Sequence, residues 1–121
     1  MRTPTQPELQ KMLAQIHPRS PFGGRDRAML LLAANTGLRV SELVSLNVHH
    51  VANQQGHARE WLQLPAEIAA KSHRERLIPL NKRARLAVVE VLTFNRQRGF
   101  STAAEAPLFV NRKHKRLSTR P

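Results

Sequence analysis

Seven consecutive apolar residues, Ala28 to Ala34, constrain this chain more than any other feature of its sequence. The run is far short of the ~20 residues that span a bilayer. A helix that is apolar all round has to be buried on most of its sides. The chain therefore folds around this segment or not at all, and its 121 residues are enough for one domain with a modest core. Asn35-Thr36-Gly37 closes the run, with Gly37 suited to the left-handed position that ends helices.

Other elements arrange themselves around that helix. Thr5-Gln6-Pro7-Glu8 has the form of a capping box, and Leu9, Met12, Leu13 and Ile16 follow at helical spacing, which predicts a first helix ending at His17-Pro18. Pro18 to Gly24 reads as a loop. A short helix is expected over Ser41 to Leu46, with Val40, Leu43 and Val44 inward. His49 to Gly56 is polar and weakly strand-like. Glu60 to Leu64 and Arg76 to Leu80 alternate as two short strands, joined by a connection that holds Lys71-Ser72-His73. Asn81 is a candidate N-cap for a helix running to about Arg96, with Ala84, Val88, Val91 and Leu92 as its apolar stripe and Lys82, Arg83 and Arg85 toward its outer face. Gly99 to Pro107 is rich in small residues and reads as a linker. Leu108-Phe109-Val110 suggests a brief strand, and residues 111–121 a mobile basic tail. The class is α+β, mainly helical with a small antiparallel hairpin.

Charge narrows the function. Twenty Lys and Arg against eight Asp and Glu leave a formal charge of +12, which attracts polyanions, nucleic acid foremost, and makes such binding depend on salt. The absence of cysteine removes disulfides, thiolate metal sites and cysteine nucleophiles, and fits a cytoplasmic protein. No apolar stretch is long enough for a membrane span, and no secretory signal follows Met1. The six histidines lack carboxylate partners at ligand spacing, so neither a metal nor another cofactor is expected.

One octet carries chemistry. Thr36-Gly37-Leu38-Arg39-Val40-Ser41-Glu42-Leu43 sets an arginine between a glycine turn and a helix. A guanidinium there can bind two phosphate oxygens at once, and helix-entry amides can assist it. Glu42, one step along the helix, is placed to hold the Arg39 side chain.

The octet resembles the first arginine box of the tyrosine recombinases, the phage-integrase type, whose pattern is T-G-(L/M)-R-x-S-E-L. Arg25 to Leu32 before it, Leu46-Asn47-Val48 after it, and Ala70-Lys71-Ser72-His73-Arg74-Glu75-Arg76-Leu77-Ile78-Pro79-Leu80 resemble further family segments in the family's order. The last is similar to the (T/A)-K-(S/T)-x-x-x-R-x-(I/V)-P-L hairpin. The resemblance runs from about Thr5 to Arg120. It implies a partial recombinase catalytic domain over residues 1–121, divided into a helical part (5–46), a hairpin region (48–80), a helix (81–96), and a linker with basic tail (97–121).

In that family a tyrosine attacks the scissile phosphate, without metal, to form a 3′-phosphotyrosine link. Arginine and histidine donors stabilise the charge on the non-bridging oxygens, and a hairpin lysine protonates the leaving 5′-oxygen. Position by position, Arg39 matches the first arginine, Glu42 its acidic support and Lys71 the hairpin lysine. Arg74, Arg76, Lys113, Lys115 and Arg116 join Arg39 and Lys71 as candidate contacts to double-stranded DNA. The family's second box, H-x-L-R-H, and its tyrosine find no counterpart, since the chain has no tyrosine. His73-Arg74-Glu75-Arg76 has H-x-x-R spacing but sits on the hairpin, and His49-His50 and His114 lack the box's context. The expected activity is therefore binding of DNA backbone by a truncated recombinase piece that does not cut. The alternative is a non-catalytic interaction protein, self-associating or docking on a full-length recombinase through the apolar helix Ala28 to Ala34.

Overall fold

The computed structural model describes residues 20–69 and 74–118, together with Pro7 and Lys11. The predicted first helix falls outside these residues, except that Pro7 and Lys11 are themselves helical. The described elements are helices α1 (Gly23–Thr36), α2 (Val40–Val44) and α3 (Val48–Val51), strands β1 (Trp61–Leu64) and β2 (Arg76–Pro79), and helix α4 (Lys82–Gln97). The chain is mainly helical with one two-stranded antiparallel sheet, as its periodicities imply.

Helices α1 and α4 form the body of the core. They run antiparallel, since Gly24 lies against Phe94 at one end and Asn35 accepts from Asn81 Nδ2 at the other, 3.1 Å away. Ala28 and Leu32 of α1 are buried in the same cluster as Ala84, Ala87, Val88, Val91 and Leu92 of α4. Small residues on both helices let the backbones approach. Met29, Leu30, Leu31, Ala33 and Ala34 stay partly exposed, so the apolar run is less enclosed than its composition suggests.

Both helices end or begin on side-chain chemistry that is visible in the sequence. Gly37 adopts φ 75° and returns its N–H to Ala33 O at 3.0 Å, a left-handed geometry that costs an L-residue side chain energy and glycine none. Asn81 Oδ1 accepts from the Ala84 N–H at 2.9 Å and starts α4. Arg85 turns back to donate to Leu80 O at 2.8 Å rather than facing solvent beside Lys82 and Arg83.

The sheet register pairs Trp61 with Pro79, Leu62 with Ile78, Gln63 with Leu77 and Leu64 with Arg76. Side chains alternate across a strand, so Leu62, Leu64, Ile78 and Arg76 share one face. That face turns inward: Leu62 and Leu64 are fully buried, while Trp61 and Leu77 on the other face are exposed. Residues 70–73 of the connection, Lys71 among them, lie outside the described residues, which resume at Arg74.

Other expectations are corrected as well. The weakly strand-like stretch after Asn47 begins instead with the single helical turn α3, and only an isolated bridge, Ala52 to Ala58, follows it. The turn forms because His50 Nδ1 accepts the Asn47 N–H at 2.9 Å, closing the first turn in the way a glutamate does in a capping box.

The described part of the expected mobile tail is tied down. Leu108, Phe109 and Val110 are buried, Leu108 N–H donates to Leu46 O at 3.0 Å, and Leu117 N–H donates to Phe109 O at 2.9 Å. These residues make isolated bridges (Asn47 to Pro107, Val110 to Arg116) rather than a strand. Buried Asn95 on α4 donates from Nδ2 to Leu108 O at 3.0 Å and holds the segment from below. An apolar triplet next to a basic run was enough to anchor the latter.

Candidate nucleic-acid interface

Arg39 is the N-cap residue of α2, in extended backbone conformation and half-buried. Its backbone N–H is taken by Glu42 Oε1 at 2.9 Å, so this helix entrance spends that amide on its own carboxylate rather than offering it to an anion. Among the described residues, nothing engages the Arg39 guanidinium.

Glu42 is fully buried. A carboxylate sealed from water requires charge or hydrogen-bond partners, or it costs several kcal/mol. Part of the requirement is met from the sheet: Arg76 Nη2 lies 3.2 Å from Oε1 and 3.4 Å from Oε2. The sequence reading paired Glu42 with the Arg39 side chain. The structure instead shows Glu42 binding the Arg39 backbone and the Arg76 guanidinium, so one carboxylate joins the arginine box to the hairpin. The signal for this was strand parity, because Arg76 shares a face with Ile78 and is two residues from it.

Other predicted site residues are placed variously. Lys71 lies outside the described residues. Arg74 is exposed just before β2, and Lys113 and Lys115 are exposed in the turn between Val110 and Arg116. Arg116 folds back, donating to Val44 O at 3.1 Å, to Leu46 O at 3.0 Å and to Asn47 Oδ1, so its guanidinium satisfies carbonyls at the end of α2. A cavity of about 450 Å³, lined by His49, His50, Arg59, Trp61 and Leu77 among others, opens on the outer face of the sheet. Arg76 points to the opposite face, so this cavity is separate from the Glu42 centre.

A family model described as the phage integrase family matches residues 3–121. The chain belongs to the phage integrase family. Among its relatives are the tyrosine recombinase XerC of Syntrophus aciditrophicus, 37% identical over 85% of this chain and 32% of that protein, and the tyrosine recombinase XerC of Roseiflexus castenholzii, 39% identical over 78% and 28%. The tyrosine recombinase XerD of Haemophilus ducreyi is 31% identical over 92% of this chain and 35% of its own. The chain thus spans about a third of the length of these relatives. Among the described residues of this integrase-family chain, no helix is long and apolar enough to cross a membrane.

A pH dependence follows from α3. The pKa of His50 is pushed below its ordinary 6.5 by burial first, then by the neighbouring His49 and Arg116 charges, against weaker opposition from Glu105 and Glu67. The His49 and His50 ring centroids are 4.2 Å apart, and Nδ1 must stay unprotonated to accept from Asn47. Well above pH 6.5 the ring is neutral folded or unfolded, and stability is unaffected. As pH falls below 6.5 the unfolded chain takes up the proton first, so stability drops until the folded-state pKa is passed. Urea titrations from pH 7.5 to 5 should show this decline, at about 1.4 kcal/mol for each unit of depression at most. His50→Gln should flatten it, and an equally steep decline in that variant would assign it to other groups.

Proposed function

We propose that this chain is a DNA-backbone-binding part of a site-specific tyrosine recombinase, with Arg39 as the phosphate-gripping residue. The observation that carries the reading is the division of labour at α2. Glu42 is occupied by the Arg39 backbone and by Arg76, and among the described residues the Arg39 guanidinium remains without a protein partner. A planar guanidinium suits the two non-bridging oxygens of a phosphodiester. In the reaction attributed to the family it stabilises the charge on those oxygens, Lys71 protonates the leaving 5′-oxygen, and Arg76 acts through Glu42 as a positioning residue. Arg74, Lys113 and Lys115 add backbone contacts, which position a protein on duplex DNA without selecting a sequence.

These 121 residues contain no tyrosine, so by themselves they bind DNA and form no phosphotyrosine link. Anisotropy titrations with a labelled duplex test the binding. Arg39→Gln should weaken affinity roughly tenfold at low salt and make the slope of log K against log[salt] shallower by about 0.9, the value of one phosphate contact. Unchanged affinity and slope would remove Arg39 from the interface. A nicked suicide substrate should yield no covalent adduct, and an adduct would show a nucleophile of another kind.

A second reading, self-association or docking on a full-length recombinase, draws on four exposed apolar side chains: Trp61 at 51%, Leu77 at 64%, Leu86 at 52% and Val89 at 47%. Sedimentation as a monomer at high concentration would count against self-association.

A further inference from the structure

At the start of α1, remote from Arg39, three phenylalanines meet. Ring centroids of Phe22 and Phe94 are 5.9 Å apart, those of Phe22 and Phe100 6.5 Å, and those of Phe94 and Phe100 6.2 Å. Two arginines and a histidine cover this floor. The Arg25 Cζ lies 4.4 Å from the Phe22 centroid, the Arg98 Cζ lies 5.2 Å from Phe94 and 5.8 Å from Phe22, and His114 meets Phe100 edge-on at 4.6 Å. Between them is a cavity of about 380 Å³ lined by Pro21, Phe22, Arg98, Phe100, Arg112 and His114.

Packing accounts for some of these charges. Arg25 is paired with Asp26 at 2.8 Å and donates to Val110 O at 3.0 Å, and Arg98 donates to Pro21 O. It does not account for the rest. Arg112 is exposed, lines the cavity and has no side-chain partner among the described residues, and the same turn carries Lys113 and Lys115. Asp26, the carboxylate beside Arg25, is already spent on it. Like charges gathered without counter-charge repel, and stacking on the rings fixes the Arg98 guanidinium in advance of any ligand, which lowers the entropy lost on binding.

We propose that this aromatic-floored cluster, with Arg98 and Arg112 as its principal cations, is a second polyanion site that takes a nucleic-acid phosphodiester backbone. Its place follows from the fold. Phe22 precedes α1 and Arg39 follows it, so 14 residues of helix at 1.5 Å each hold the two sites roughly 21 Å apart. The cavity rests on no contact with Arg39, Glu42 or Arg76, and it relies on the DNA-binding reading only for the choice of nucleic acid over an acidic peptide.

The test compares the full chain with Arg112→Gln, with Arg98→Gln/Arg112→Gln, and with Arg39→Gln, by anisotropy on a labelled 20-base-pair duplex across a salt series. The double variant should bind about tenfold more weakly at low salt, with a slope shallower by about 1.8, two phosphates' worth, and Arg112→Gln by about half of that. If Arg98→Gln unfolds the cluster, as circular dichroism would report, the exposed Arg112→Gln variant carries the test alone. Wild-type affinity and slope in Arg112→Gln would overturn the proposal, as would polyglutamate binding lost in that variant while duplex binding is kept. A loss in the Arg112 variants with none in Arg39→Gln would uphold this site and sink the Arg39 reading, and the reverse pattern would do the opposite.

Discussion

Phe109→Ala should lower the free energy of unfolding by about 4 kcal/mol, a large fraction of the stability of a domain of this size. Phe109 is completely buried and is the largest such side chain in the described core, where it shares a cluster with Leu32, Leu46, Leu92 and Leu108. Truncation removes the transfer energy of the ring and leaves a cavity in that cluster. Hydrogen bonds on either side, Leu108 N–H to Leu46 O and Leu117 N–H to Phe109 O, would hold the backbone over the void. Urea denaturation followed by circular dichroism measures the loss. A change below about 1 kcal/mol, the ordinary effect of a point substitution, would mean that residues 108–118 are an appendage to the core rather than part of it.

Arg76→Met should cost about 3 kcal/mol, the lower end of what breaking a buried ion pair takes. The Arg76 side chain is 39% exposed while Glu42 is at 0%, so the penalty falls mainly on the buried carboxylate, which loses one of its partners. Replacing Glu42 as well, by Gln, should restore part of the loss, because a neutral amide is less costly to bury than a carboxylate that has lost this partner. The double-mutant cycle then reports a coupling energy of 1 kcal/mol or more, where independent sites would add within about 0.5 kcal/mol. Additive losses would show that hairpin and arginine box are not linked through this pair. The same cycle read on DNA affinity separates positioning from contact. If Arg76 only positions, Arg76→Met leaves the salt slope unaltered, whereas a direct phosphate contact changes it by about 0.9.

Much of this was legible along the chain because it is local. Gly37 ends α1 and Asn81 begins α4 through hydrogen bonds that close within four residues, so a single sequence displays both partners. The strands Trp61–Leu64 and Arg76–Pro79 and the stripe Ala84, Val88, Val91 and Leu92 likewise follow from periods of two and about three and a half. Arg39 and Glu42 were found because the box that contains them is contiguous. His50 as the cap of α3 was missed because an imidazole accepting a backbone N–H imitates a glutamate only in its neutral form, and local composition favoured extended chain.

What the sequence decided, then, was helices α1, α2 and α4, the two paired strands, the arginine box and the excess of positive charge, since each depends on residues close together in the chain. The tertiary structure alone decided which partner each charge would have: Arg76 for Glu42, the end of α2 for Arg116, and a phenylalanine floor for Arg98. The partners in those pairs are separated by 34 and 72 residues for the first two, and no local pattern records such distances. A buried carboxylate or an unpaired carbonyl has to be satisfied from whatever the fold brings near, because water is no longer there to do it.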